Sequence, residues 1–488
     1  MPVMPVRPRA VTERQDAAAL SGAAPRLRRA VEEAARRAQV LRRPVLAWTT
    51  VRISPRDLVD LFERTEVVAG ERILWDRPED RFSLIGIGSA WECTASGPER
   101  FKETDAAWQW MQARAVGDTE GPTSWGAGLG AFYGFAFSPE GPASAEWSGY
   151  PAAWVVAPRL CIAQLGDRAW ITLVLMVDPD SGRAADEEAD ACVGACRSVL
   201  GPGAHDRQGV AGTPVLRIVA EIPSGDAWRR AVGATAQAVG HGALSKAVLA
   251  RALHCCSDHF DAAGALRRLR TEYAGCTVFA IARGNRCFLG ATPERLVRVR
   301  DGTVTTGAVA GSAPRGGTAE EDRRFGEFLL ASAKDRVEHT TVVEAIRSGL
   351  ADLCATISVG AVPQLLVMRN VQHLCTPVVA RLRDRRSILE LAERLHPTPA
   401  VGGVPREKAL RWICEHEGWD RGWYSGLVGW MDRAGEGEAA VAIRSALLQD
   451  TTALLFAGCG IVAGSDPDRE YAESALKLRP MLSALGRT

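Results

Sequence analysis

Near the carboxyl end of the 488-residue chain, the stretch Phe456 to Lys477, FAGCGIVAGSDPDREYAESALK, carries Glu470, Glu473 and Lys477 at three- and four-residue steps. Asp466 and Pro467 open a helix there, so the two carboxylates and the ammonium share one helix face. Glu338 lies in a second candidate helix, RRFGEFLLASAKDRVEHTTVVEAIRS from Arg323 to Ser348, one residue after Val337 and four before Val342. Two helices that each turn a carboxylate inward beside a Gly-rich run suit a hard divalent cation with a few oxygen ligands and several retained waters. Magnesium fits that description better than zinc. A single helical glutamate is ordinarily a solvated acid paired one turn away, as Lys334 could be for Glu338, so the reading rests on the two stretches together.

Four further residues interrupt apolar segments. Lys246 heads the strand-like KAVLARAL, where it must reach water or an anion, and a desolvated lysine near a cation can act as a base. Glu294 follows Gly290-Ala291-Thr292-Pro293 at a tight corner; an acid kept protonated by an apolar pocket can donate to a leaving group. His373 in QHLCTP and Arg444 in VAIRSALL break strands in the same way, and a buried arginine calls for a carboxylate from protein or ligand. The alternatives are ordinary: a snorkelling lysine at a strand end, a surface turn glutamate, a satisfied core histidine. Taken as a set, the residues suit a substrate with two carboxylates, a base on one side and an acid on the other.

These side chains need elements to hold them. The apolar steps Phe325, Phe328, Leu329, Ala333, Val337, Val342, Val343 and Ile346 predict one helix, opened by Thr318 and by Glu320, Glu321 and Asp322 in its first turn. Helices are expected at 225–239, 260–273, 386–395 and 405–416. Strands are expected at 246–254, 276–284, 286–290, 293–300 and 303–309, then QLLVMRNVQHLCTPVVARL, GLVGWM, AAVAIRSALL and TALLFAGCG. From 55 to about 200, helices such as SPRDLVDLFERT alternate with strands such as RFSLIGIGSAWEC, GAFYGFAF and AWITLVLMV. Strands that follow one another directly favour a mostly antiparallel sheet. Residues 1–24, with Pro2, Pro5 and Pro8 and no apolar period, read as a disordered tail, LRRAVEEAARRAQVLRR after them as a charged helix before the strand VLAWTTVRI at 45–53, and the polar stretch Gly201 to Gly212 as a surface loop between two halves of one body.

Apolar residues make up 47% of the chain, charged residues 24%, and the formal net charge is +1, so there is no general pull toward nucleic acid or a membrane surface. The expected partner is small. Twelve cysteines lie scattered without paired spacing, no apolar run reaches the length of a membrane span, and no signal-peptide layout is visible, which together imply the cytoplasm. His254, Cys255, Cys256 and His259 match no zinc spacing, and adjacent cysteines on a strand face opposite ways; Cys192 and Cys196 read as packing.

The stretches SKAVLARAL, LGATPERLV, GAVAGSAPRG, LLASAKDRVEH, VQHLCTP, LHPTPAVGGVP, GWYSGLVGW, VAIRSALL and AGCGIVAGSDPDREYAESALKL follow one another as in the chorismate-utilising enzymes, and most resemble the isochorismate synthases among them. The resemblance covers about 215 to 485, with a weaker echo at WDRPEDRFSLIGIGSA. It implies an α+β fold: a single large domain in residues 25–488, with two stacked, mostly antiparallel sheets flanked by outer helices. Within it, 25–212 is the less similar half and 213–488 the motif-bearing half. It also implies that Glu338 and Glu473 hold Mg2+ and that Arg444, Tyr424, Lys477 and the backbone at Gly460 hold the enolpyruvyl carboxylate of chorismate, with His373 and Ala400 lining the substrate. Lys246 would activate water for attack at C2, and Glu294 would protonate the departing C4 hydroxyl.

Relatives that go on to eliminate pyruvate and form salicylate usually have threonine where Ala400 stands. Aminating relatives, which make anthranilate or aminodeoxychorismate, usually have glutamine at the position of Lys246. The expectation is therefore an isomerase that stops at isochorismate, works as a monomer and needs no glutaminase subunit. One departure stands out: many members read Ser-Glu-Lys-Asp-Arg where this chain has Ser332-Ala333-Lys334-Asp335-Arg336, which predicts weaker magnesium binding.

Overall fold

The computed structural model describes residues 9–66, 69–121, 125–180, 184–201, 215–369 and 371–487. The amino-terminal half runs α1 (Arg9–Leu41), β1 (Val45–Ile53), α2 (Leu58–Arg64), β2 (Glu71–Arg77), β3 (Phe82–Ala95), α3 (Arg100–Arg114), β4 (Val116–Thr119), β5 (Gly130–Phe135), β6 (Ala153–Leu165), β7 (Arg168–Val177) and α4 (Ala184–Leu200). After it come β8 (Arg217–Ile222), α5 (Gly225–Gly240), β9 (Lys246–Cys256), α6 (Ala262–Glu272), β10 (Thr277–Arg283), β11 (Arg286–Thr292), β12 (Arg295–Arg300) and β13 (Thr303–Pro314). Next are α7 (Ala319–Ala331), α8 (Ala333–Leu350), β14 (Cys354–Val359), β15 (Gln364–Val367), β16 (Val371–Leu382), α9 (Ile388–Leu395), β17 (Gly403–Val404) and α10 (Arg406–Glu417). The chain closes with β18 (Leu427–Asp432), β19 (Gly437–Val441), β20 (Ser445–Gln449), β21 (Thr452–Ile461) and α11 (Pro467–Leu485).

All strands belong to one hydrogen-bonded network that forks at β6. On one edge β6 pairs with β3, from which the order runs β2, β10, β11, β20, β21, β9; on the other it pairs with β5, leading through β18, β19, β12, β13 to β16. The two branches face each other over an aromatic core that includes Trp75, Phe132, Trp154, Phe279, Phe288, Trp423 and Trp430. Helices α2, α6 and α11 cover the outside of the first branch, α1 and α4 cover β7 and β1, which continue from β6, and α3, α8 and α9 cover the second branch. Alternation along the strands divides the faces: in β6, Trp154 and Val156 point between the layers while Val155 and Ala157 point to the outer helices. The architecture is the expected α+β body of two stacked sheets. Pairing is antiparallel throughout except between β1 and β4.

Three expectations change. The stretch from Arg9 to Ala24 is helix, not tail, and runs unbroken into the expected charged helix: α1 lays Leu20, Ala23, Leu27, Ala30, Val31, Ala34 and Ala38 against β1 and α4, and Asp16 accepts from the Ser54 amide at 2.8 Å and ion-pairs with Arg56. The face is built largely of alanine, which gives a weak apolar period but close packing. Residues 1–8 of the predicted tail, and the predicted loop beyond Gly201, lie outside the described residues.

The single helix predicted over 323–348 is two. Ser332 ends α7 and caps α8, its hydroxyl accepting from the Asp335 amide. The break shifts the helical phase, so Phe328 and Val337 are exposed while Leu329, Val342 and Ile346 are buried. The long strands also divide: QLLVMRNVQHLCTPVVARL becomes β15 and β16, and AAVAIRSALL becomes β19 and β20, which meet at Arg444 with a left-handed φ of 52°.

Candidate active site

Lys246, Glu294, Glu338, His373, Ala400, Tyr424, Arg444, Gly460, Glu473 and Lys477 all line one cavity. They come from far apart in the chain: Lys246 from the first residue of β9, Glu294 from the corner between β11 and β12, Glu338 from α8, His373 from β16, and Glu473 and Lys477 from α11.

Lys246 and Glu338 are paired. The Lys246 Nζ donates to Glu338 Oε1 at 2.7 Å, with both side chains largely shielded from solvent. The contact depends on Gly460, because a Cβ there would lie 2.6 Å from Lys246 Cε, 3.1 Å from its Nζ and 3.4 Å from Glu338 Oε1. Gly460 is therefore a place where only a bare backbone lets the lysine pass.

At the far end of the cavity, Glu473 Oε1 lies 2.7 Å from Lys477 Nζ, which also donates to the Gly458 carbonyl at 3.0 Å. Burial pushes the Glu473 carboxyl up, but Lys477 outweighs it and holds the group below the usual range. Glu470 goes the other way: burial and the neighbouring Glu473 charge both raise it, although Ser465 donates to its Oε1 at 2.9 Å. Cys459, Glu470 and Glu473 offer ligand atoms within 4.8 Å of one another, the one such metal-capable group among the described residues. Burial raises the Cys459 thiol far above its ordinary value, which leaves the carboxylates as the donors. Two acids crowded together, one raised by the other, fit a hard cation with oxygen ligands. Glu338 stands outside this trio and commits one oxygen to Lys246, leaving Oε2 for a second contact.

Arg444 is 6% exposed, and among the described residues no carboxylate lies within ion-pair distance of it. Its Nη2 meets His373 Nε2 at 3.4 Å. His373 Nδ1 faces the Gly311 carbonyl at 3.1 Å, which can only accept, so the ring proton belongs on Nδ1 and Nε2 is left to accept from Arg444. Burial, then Arg444 and Lys477, push His373 down to about 3, so the ring is neutral. A buried guanidinium with no carboxylate partner among the described residues, beside a buried ammonium, is suited to receive an anion. The left-handed backbone at Arg444 is held by its carbonyl, which accepts from Ala291 at 3.1 Å and passes so near Gly290 that a Cβ there would be 2.7 Å away.

Glu294 is buried, and burial outweighs the Thr398 hydrogen bond and the charges of Lys246, Arg444 and Lys477 to push its carboxyl up to about 7. It is thus a carboxyl that keeps its proton on a substantial share of molecules at neutral pH. Tyr424 stacks on Phe456 at 5.1 Å, and the Ala400 amide donates to the Thr398 hydroxyl oxygen at 3.2 Å.

Sequence reasoning missed Asp335, Ser312, Ser425 and Thr398; the first three line the cavity and the last holds Glu294. Asp335 carried the only signal, three residues before Glu338 on the same helix. Ala333, by contrast, is exposed and outside the cavity lining. The His254–His259 cluster gathers no metal-capable trio, and all twelve cysteines are free. No helix among the described residues is long and apolar enough to cross a membrane.

Comparison with known proteins gives a consistent picture. The chorismate binding enzyme family matches residues 29–486. The salicylate biosynthesis isochorismate synthase of Pseudomonas aeruginosa is 39% identical over 465 residues, 94% of each chain. Isochorismate synthase MenF of Bacillus subtilis is 33% identical over 465 residues, 94% of this chain and 97% of its own. Among solved structures, the menaquinone-specific isochorismate synthase MenF from Escherichia coli superposes with a TM-score of 0.74 at 25% identity, covering 93% of this chain and 100% of that one.

Proposed function

The chain belongs to the chorismate binding enzymes, and from that premise we propose that it is an isochorismate synthase, isomerising chorismate by attack of water at C2 and loss of the C4 hydroxyl. The observation that carries the reading is the cavity itself, which collects a base, an acid and an unpaired cationic receptor in one place.

In the proposed roles, Arg444 and Lys477 bind the enolpyruvyl carboxylate, with Tyr424 and the backbone at Gly460 completing that end, and His373 fixes Arg444. Lys246 takes the proton of the attacking water. The ammonium that results is charge-paired at once, because Glu338 lies 2.7 Å away. Glu294, raised so that its protonated form persists near neutral pH, gives that proton to the departing hydroxyl, which leaves as water; one water enters and one departs, so substrate and product are isomers.

We propose that Glu473 and Glu338 hold Mg2+ with Glu470 beside them, an assignment supported by the crowded carboxylates and by the protonated Cys459 thiol. When bound, the ion supplies positive charge that neutralises the ring carboxylate of the substrate. Ala400 and Lys246 favour a reaction that stops at isochorismate with water as nucleophile. The enzyme is further proposed to act in the cytoplasm as a monomer without a glutaminase subunit, supplying isochorismate to a menaquinone-, salicylate- or siderophore-forming sequence.

The test is chromatography of the products that purified protein forms from chorismate and magnesium. Isochorismate is the expected product without ammonia. Salicylate as the main early product, or turnover only with ammonium, overturns the proposal; chorismate binding with no turnover leaves a binding protein in its place.

A further inference from the structure

Glu294 is gripped by a residue that has no part in the roles above. Thr398 is buried, with its Oγ1 3.1 Å from Glu294 Oε1 and 3.2 Å from the backbone nitrogen of Ala400. An amide N–H can only donate, so the Thr398 oxygen accepts from Ala400 and its single proton is directed at Glu294. No other acceptor for that hydroxyl exists among the described residues. Resting on the reading of Glu294 as the acid, we propose that Thr398 is a positioning residue: it occupies Oε1 and so confines the transferable proton to Oε2, the oxygen left to the cavity.

The grip is stiff on both sides. The Thr398 carbonyl accepts from the amides of Val401 at 3.1 Å and Gly402 at 2.9 Å, closing a turn. Arg421 holds that turn to the strand carrying Lys246, donating to the Val401 carbonyl at 3.1 Å and to the Val248 carbonyl at 2.6 Å. On the acid's side, the Glu294 amide donates to Thr292 Oγ1 at 3.2 Å and its carbonyl accepts from Val441 at 3.0 Å. Neither backbone segment can shift without unpairing these bonds, so the two side chains meet from fixed origins. A carboxyl that delivers a proton from one defined oxygen needs this, since a proton free to sit on Oε1 would point at Thr398 and away from the leaving hydroxyl.

The hydroxyl has a second, measurable effect. The charged groups facing Glu294 are Lys246 on β9, Arg444 between β19 and β20, and Lys477 on α11; all three favour its ionised form, as does the Thr398 hydrogen bond. Burial opposes them. Thr398→Val keeps the shape and removes only the hydroxyl, so the balance moves further toward the protonated acid while the proton loses its assigned oxygen.

The experiment compares wild type, Thr398→Val and Thr398→Ser for kcat and KM on chorismate across pH 5.5 to ~9, with far-UV circular dichroism to establish folding. In Thr398→Val, kcat should fall about tenfold to a hundredfold with KM little changed, and the pH at which kcat declines should move upward. Thr398→Ser should restore both. A Thr398→Val profile that declines at the wild-type pH overturns the proposal, as does a serine variant no better than valine, which would mark Thr398 as packing alone. Should the valine protein not fold, Thr398→Ala is read in its place, and an unmoved limb there is equally decisive. Wild type that makes no isochorismate would instead remove the functional reading, a separate failure visible before any variant is made.

Discussion

Two buried arginines, Arg444 at 6% exposure and Arg421 at 4%, offer a paired experiment. Arg421 is fully matched by protein: its Nε donates to Glu417 Oε2 at 2.7 Å, its Nη2 also meets Glu417, and it reaches two carbonyls. Arg444 meets only the neutral His373 and has no carboxylate partner among the described residues. If the Arg444 guanidinium is kept for a substrate carboxylate, the free enzyme carries the desolvation of a charge with little to offset it. Replacing it with methionine should then stabilise the free protein. Exchange of buried charge for a well-packed apolar group of similar size is typically worth about 1–4 kcal/mol, whereas breaking a satisfied buried pair typically loses about 3–5 kcal/mol. With an unfolding entropy of about 2.1 cal/mol/K per residue, a chain of this length has about 1 kcal/mol/K, so each kcal/mol moves Tm by about 1 °C.

Arg444→Met is therefore expected to raise Tm by about 1–4 °C in calorimetry without substrate, and Arg421→Met to lower it by about 3–5 °C. The left-handed backbone at Arg444 does not disturb the comparison, because methionine meets the same strain there as arginine. Binding should move the opposite way: removing one side of a buried charge pair weakens affinity by about 2–5 kcal/mol, or about 30-fold to 4,000-fold for chorismate at Arg444→Met. A lowered Tm for Arg444→Met would refute the idea that its charge is uncompensated in the free enzyme. An unchanged affinity would refute the carboxylate receptor.

The remaining expectations concern the chemistry. Because Glu294 is pushed up to about 7 and acts protonated, kcat should be full below that pH and fall as pH rises through it; Glu294→Gln should lower kcat by about a hundredfold to ten-thousandfold and flatten that limb. Titrated with magnesium at saturating chorismate, Glu473→Gln should regain part of its turnover and Lys246→Ala none; the reverse would exchange the proposed ligand and base. Gly460→Ala should drive the Lys246 Nζ from Glu338 and, at a displacement near 1 Å, cost about a hundredfold in kcat; an unchanged rate would show that the Lys246–Glu338 contact is not used.

The residues that announced themselves in the sequence did so because burial makes them costly. A lysine, a glutamate, a histidine and an arginine inside apolar stretches each demand a compensating partner, and all four line the cavity. What supports them gave no such signal. Thr398 is a neutral residue in a Pro-rich turn, and its role exists only because the fold brings β11 and that turn together from 104 residues apart. The first half of α1, before the charged helix that the sequence does show, was invisible for a related reason: the small side chains that let a helix approach a sheet closely contribute little to an apolar period. The break between α7 and α8 was hidden because Ser332 is tolerated in a helix interior, and only its hydroxyl on the Asp335 amide makes it a cap.

Arg444 shows how the two kinds of information meet. Its sequence context, VAIRSALL, looks like one unbroken strand, and in such a strand alternation would have decided its face by counting from Ala442. The left-handed turn at Arg444 instead ends β19 and starts β20, so its direction is set by the bend and not by parity. A non-glycine residue in that conformation persists only where its surroundings over-determine it, and here the Ala291 amide and the bare backbone of Gly290 do so from β11. The same strand leads directly to Glu294. The proposed receptor and the proposed acid are thus fixed by one backbone junction, and a substitution at Gly290 should displace both together, where a substitution at either residue itself disturbs only one.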